Sequence, residues 1–137
     1  MHSGSRTESE GPADLTGAQH LLWTGQQLHP DVPLYNMAFT FEIEGQLDAD
    51  TFRAAFSTLI EQVEALRSVI RCVEGVPQQS VLDDFPFELD LIDLEAAGDP
   101  AAALAEWAQE RCERMLDLEA RTFDSALVRM GPDRWAW

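Results

Sequence analysis

Hydrophobic residues recur along this chain with two different periods, and each change of period marks a change of element. From Thr16 onward Ala18, Leu21, Leu22, Gly25 and Leu28 fall at helical spacing until Pro30 stops the run. Gln19 stands three residues after Thr16, which predicts a capping box at the start of that helix. The stretch YNMAFTFEIEG then alternates, with Tyr35, Met37, Phe39, Phe41 and Ile43 on one side and Asn36, Thr40, Glu42 and Glu44 on the other. That is the clearest strand pattern in the chain. After a GQLD turn, Phe52, Ala55, Phe56, Leu59, Ile60, Val63 and Leu66 return to helical spacing behind Asp48 as N-cap.

Two short strands are predicted at residues 69–74 and 79–82, around GVP, and another sheet or hairpin element in FPFELDLIDL, where Phe87, Leu89 and Leu91 alternate with Glu88 and Asp90. Asp99 followed by Pro100 is an N-cap with proline at the first helical position. Leu104, Trp107, Ala108, Cys112, Met115 and Leu116 form the stripe of a third helix, with Glu106, Glu110 and Glu113 on its wet face. Residues 122–130 are extended, and GPD turns the chain into RWAW. Helices and strands mix without strict alternation, so the expected fold class is α/β, an α+β sandwich with a mixed sheet flanked by helices. Residues 1–13 have no periodicity and are expected to be a disordered lead or linker, which leaves 14–137 as the folded domain.

Composition narrows the partners. Twenty-five acidic residues face nine basic ones, all arginine, for a net charge of −16. Such a surface repels phosphate backbones and anionic lipid, so nucleic-acid and membrane-surface roles are not expected. At 137 residues and 45% hydrophobic content the chain is long and apolar enough for one real core. Cys72 and Cys112 lie far apart, form no metal or redox motif, and are expected as buried free thiols on a strand and a helix face. No apolar run is long enough to span a bilayer and no signal peptide is visible, which points to the cytoplasm.

Catalytic constellations are not legible. His2 lies in the lead, His29 at a helix end, and His20 beside the apolar positions of the first helix, where a structural role is expected. Asp83 with Asp84, and Glu42 with Glu44, read as turn and solvated-face residues. There is no phosphate loop, nucleophile elbow or metal-ligand cluster. Arg67 fits no pattern: it sits where a helix gives way to a strand, as a C-cap or as half of a buried ion pair.

The order of motifs, however, resembles the amino-terminal part of condensation domains of nonribosomal peptide synthetases. Thr16, Ala18, Gln19, Leu22 and Trp23 match the family's opening Ser/Thr-x-Ala-Gln-x-x-Leu-Trp element, followed by Gln27, Leu28, Pro30 and the Tyr35-Asn36 pair. QVEALRSVI matches Arg-His-Glu-x-Leu-Arg-Thr-x-Phe, keeping Glu64, Leu66 and Arg67 and departing at Gln62, Val63 and Ile70. GVPQQSV and FDSALVRMGPDRWAW extend the resemblance over residues 15–137.

The resemblance implies a fold like chloramphenicol acetyltransferase, two similar lobes with the active site between them, of which this chain is most of the first. It implies amide formation between carrier-bound acyl or aminoacyl thioesters and amines, with peptidyl or acyl carrier proteins and the missing second lobe as partners. No cofactor is expected to bind directly, and substrates are expected on phosphopantetheine arms. The family's His-His-x-x-x-Asp-Gly motif is not in the sequence, so no catalytic residue and no metal site is assigned and the chain is expected to be inactive alone. Arg67 is implied to support the catalytic loop by pairing with that motif's Asp. The alternatives are a carrier-binding or split-domain complementation module, and a gene fragment without function.

Overall fold

The computed structural model describes residues 11–137. The expected disordered lead therefore lies outside the described residues as far as Glu10. The elements run β1 (Ala13–Asp14), α1 (Gly17–Leu28), β2 (Glu42–Glu44), α2 (Ala49–Gln62), a 3₁₀ turn (Glu64–Arg67), β3 (Ser68–Val73), β4 (Val76–Val81), β5 (Asp90–Asp93), α3 (Pro100–Cys112), β6 (Ala126–Gly131) and β7 (Arg134–Ala136).

Four strands in the order β2-β7-β6-β5 form a mixed sheet, with β5 parallel to β6 and the other pairs antiparallel. Successive residues of a strand face opposite sides, so this sheet feeds two cores. Leu127 and Trp135 join Phe56 and Ile60 of α2 and Leu89, while Val128, Met130 and Ala136 join Leu104 of α3. The sheet is thus the middle layer of a helix-sheet-helix sandwich. Leu127 is fully buried at its centre.

β3 and β4 form a hairpin whose two-residue turn places Glu74 at φ 51° and Gly75 at φ 83°, with Val73 paired to Val76. Positive φ at both central residues matches the right-handed twist of the flanking strands. β1 pairs with β4, with Ala13 opposite Gln79, so the ladder takes in a residue of the segment read as a lead.

Local capping follows the sequence closely. Thr16 accepts from the Gln19 amide, and the Gln19 side chain accepts from the Thr16 amide. Asp48 accepts from the Thr51 amide, and Asp99 from the amides of Ala101 and Ala102. The hydrogen bonds from Thr51 hold the Asp48 carboxyl below its usual pKa.

Several expectations about burial and extent fail. The predicted strand from Tyr35 shrinks to Glu42–Glu44, and Met37, Phe39 and Phe41 are exposed. Alternation specifies an extended chain, but a ladder also needs a neighbour, and residues 37–40 have none among the described residues. The stripe of α1 contributes no buried residue. Leu59 of α2 is half-exposed and Leu91 emerges at the sheet edge. Val63 does not continue α2 but caps it, so Leu66 reaches the core from the 3₁₀ turn. The third helix ends at Cys112, before Met115 and Leu116. Cys72, expected to be buried, is exposed on β3, while Cys112 is half-buried.

Candidate functional site

A cleft of about 720 Å³ opens between the extended segment 35–41, helix α3, and the chain from Arg121 to Ala126. Each wall has a separate local cause. The 35–41 segment is anchored at one end by Asn36, whose Nδ2 donates to the carbonyls of Cys112 at 2.9 Å and Arg114 at 2.7 Å. At the other end Phe41 and Trp137 exchange main-chain hydrogen bonds of 2.7 and 2.8 Å. The Trp137 indole stacks on Phe41, meets Phe52 and Phe56 edge-on, and donates from Nε1 to Ser125 Oγ at 2.7 Å.

Arg111, in the last turn of α3, supplies the charged part of the cleft. Its Nε donates to Asp124 and its Nη2 to Asp90, and its guanidinium lies 5.5 Å from the Trp107 ring. Partial burial works against the Asp124 carboxylate, but the Arg111 hydrogen bond and charge, with help from Arg121 and the Ser125 amide, hold its pKa below the ordinary value. The hydrogen bond to Asp124 likewise raises the Arg111 pKa against the cost of burial. One cation between two anions ties α3 to β5 and to the loop before β6. No spacing in the sequence announces this trio, because Asp90, Arg111 and Asp124 come from three segments that meet only in the folded chain.

Of the motif residues, Tyr35 and Asn36 line this cleft, while Thr16, Gln19 and the segment from Glu64 to Arg67 gather elsewhere, around a polar chain that crosses from α1 to the hairpin. Gln19 Nε2 donates to Gln79 Oε1 at 2.7 Å, Gln79 Nε2 to Ser68 Oγ at 3.2 Å, and Ser68 Oγ to the Glu64 carbonyl at 2.9 Å. Thr122 Oγ1 donates to the Ser68 carbonyl at 3.1 Å. Thr16 and Gln19 are thereby joined to the segment holding Glu64, Leu66 and Arg67, through Gln79, which the sequence did not single out.

Arg67 takes part in no ion pair among the described residues. Its Nε donates to the Ile60 carbonyl in the last turn of α2 at 3.1 Å, and its Nη1 to the Leu82 carbonyl. The guanidinium is half-buried and ties the end of α2 to the end of β4. Of the remaining motif residues, Leu66 packs on the core, Trp23 is half-buried, and Ala18 and Glu64 are exposed. Tyr35 lies against α1, its Oη 2.2 Å from where a Cβ on Gly25 would stand, so a side chain at Gly25 would displace the phenol. His20 meets Trp23 edge-on and shares a 3.3 Å contact with Thr24 Oγ1, a structural arrangement.

Comparison with known proteins agrees with the order of motifs. The family model for the condensation domain matches residues 9–137. The isonitrile lipopeptide synthase of Streptomyces coeruleorubidus is 34% identical over 125 residues, covering 90% of this chain and 8% of that protein. The dimodular nonribosomal peptide synthase of Bacillus subtilis (strain 168) is 35% identical over 126 residues, 90% of this chain and 5% of its own length. Among solved structures, a variant of the starter condensation domain of rhizomide synthetase RzmA in complex with C8-CoA superposes with a TM-score of 0.85 at 30% identity, covering 93% of this chain and 30% of that one. The first condensation domain of the calcium-dependent antibiotic synthetase gives 0.85 at 28% identity, with 31% of its chain covered. The chain thus spans about a third of a solved condensation domain and less than a tenth of these synthases, and it belongs to the condensation domain family of nonribosomal peptide synthetases.

Proposed function

We propose that this chain forms part of the first lobe of a condensation domain that joins a carrier-bound acyl or aminoacyl thioester to a carrier-bound amine, and that it is inactive by itself. In that reaction the amine nitrogen attacks the thioester carbonyl, an amide bond forms, the carbon–sulfur bond breaks, and the amine proton leaves as the thiol departs. Holding the two substrates together supplies much of the rate, and a base near the amine supplies more. The observation that carries this reading is the family match over residues 9–137.

In this reading no residue of the chain is catalytic. Arg67 supports the catalytic loop, and Thr16, Ala18, Gln19, Trp23, Tyr35, Asn36, Glu64 and Leu66 stand at positions of the family's motifs. Three further N–H donors on Arg67 remain for a carboxylate beyond its two carbonyl contacts. The partners are peptidyl or acyl carrier proteins, which bring substrates on phosphopantetheine arms, and the second lobe of the fold. A solved relative that holds C8-CoA supports a thioester substrate. The setting proposed is the cytoplasm, in keeping with two free cysteines.

The test is to mix the purified chain with two carrier proteins, one loaded with an acyl or aminoacyl group and the other with an amino acid, and to search for condensed product by mass spectrometry. No product is expected, and turnover by the chain alone would overturn the proposal. A second reading, a non-catalytic module that binds carrier proteins or complements a separate lobe, is favoured by the open cleft. Saturable shifts in the amide spectrum on titration with a loaded carrier protein would support it.

A further inference from the structure

Four hydrogen bonds run in one direction from the start of α1 to the turn that carries Arg67. The Thr16 amide donates to Gln19 Oε1 at 2.8 Å, which leaves the Gln19 side-chain nitrogen as the donor toward Gln79. Gln79 Oε1 therefore accepts at 2.7 Å, and its Nε2 donates to Ser68 Oγ at 3.2 Å. Ser68 is buried, and its own proton goes to the Glu64 carbonyl at 2.9 Å. Each bond fixes the sense of the next, because a side-chain amide accepts only through its oxygen and donates only through its nitrogen. Gln79 stands at the centre of the relay, on β4 opposite Ile70 of β3, and reaches α1 on one side and Ser68 on the other.

The last bond falls on a short element with little else to hold it. Glu64–Arg67 is a single 3₁₀ turn with no side-chain hydrogen bond capping its start. The hydrogen bonds of such turns are poorer in geometry than those of an α-helix, so the Ser68 hydroxyl on the Glu64 carbonyl adds a tie that spans the whole turn. Arg67 ends that turn, and from there its guanidinium reaches the carbonyls of Ile60 and Leu82. A rotation of the turn would move both contacts and the three remaining N–H donors together. We infer that Gln79 is a positioning residue for Arg67: through Ser68 it fixes the 3₁₀ turn, and with it the direction in which the guanidinium presents its free donors. An amide is required at this position, since a carboxylate cannot donate to Ser68 and an ammonium cannot accept from Gln19. The inference rests on the reading of Arg67 as support for the catalytic loop, but the coupling is measured on Arg67 itself, so its failure is distinct from a failure of that reading.

Solvent exchange of the Arg67 Nε proton, followed by NMR on the whole isotope-labelled chain, tests it. Gln79→Glu keeps the acceptor for Gln19 and removes the donor to Ser68, and Ser68→Ala removes the hydroxyl that bonds the Glu64 carbonyl. Both are expected to speed Arg67 Nε exchange about fivefold or more, while the main-chain amides of β6 keep their wild-type rates. Gln19→Met, which releases α1 but leaves the Gln79–Ser68 bond, should have a clearly smaller effect. Unchanged Arg67 exchange in either Gln79→Glu or Ser68→Ala would overturn the inference. So would an equal effect of Gln19→Met, by showing that Arg67 responds to the docking of α1 and not to Ser68. Equal acceleration in β6 would overturn it too, as the mark of a general loss of stability.

Discussion

At the scale of single residues, Arg111 is the side chain on which most depends. It is four-fifths buried, as is Asp124, whereas Asp90 is nearly half exposed. Removing the cation leaves two carboxylates facing one another across a partly dry cleft. Arg111→Met is therefore expected to cost about 1–3 kcal/mol in urea unfolding, below the figure for a fully buried pair because of solvent screening. Asp90→Asn should cost clearly less, and the reverse order would show that Asp124 is not the principal partner. The same pairing sets a pH dependence. The Asp124 carboxyl has a lower pKa folded than unfolded, so its contribution is complete above the ordinary value of 3.8 and is lost as pH falls through and below it. Between about pH 5 and pH 2 the wild type should lose more stability than Asp124→Asn, measured by urea midpoints.

At the scale of elements, caps and turns fix where each one starts, while packing fixes how much each contributes. Glu74 adopts a left-handed φ that costs a non-glycine residue roughly 1 kcal/mol, and asparagine tolerates it better. Glu74→Asn is expected to stabilise the β3–β4 hairpin by about 0.5–1 kcal/mol and raise the melting temperature. Helix α1 has a complete capping box but buries no residue. Thr16→Ala should therefore speed amide exchange within α1, a local loss of about 1 kcal/mol, with little change in the global urea midpoint. A global loss of the same size would mean that the Gln19–Gln79 contact ties α1 into the cooperative unit.

At the scale of the whole molecule, the net charge of −16 is a destabilising field spread over a small body. Raising ionic strength from about 0.01 M to about 0.15 M shortens the screening length from ~30 Å to ~8 Å. The melting temperature is expected to rise over that range. A fall would mean that the few ion pairs around Arg111, Arg129 and Arg134 outweigh the general repulsion.

What the sequence determined by itself is whatever depends on neighbours a few residues apart. The caps at Thr16, Asp48 and Asp99, the GVP hairpin and the family's two motifs are of this kind, because a helix start or a tight turn is decided within four residues. The mixed sheet with helices on both sides also followed, since its amphipathic stripes have few other ways to be buried. Tertiary structure alone decided which stripes find a partner. Met37, Phe39 and Leu21 have the same local pattern as Phe56 and Leu127, yet they stay in water while the latter form the core. It also decided the candidate cleft: Asp90, Arg111 and Asp124 converge because β5 pairs with β6 and α3 crosses that pair, and Gln79 joins Gln19 to Ser68 because β1 and β3 flank β4. Periodicity encodes which face of an element is apolar. What lies opposite that face is a property of contacts between distant segments, and no local spacing records it.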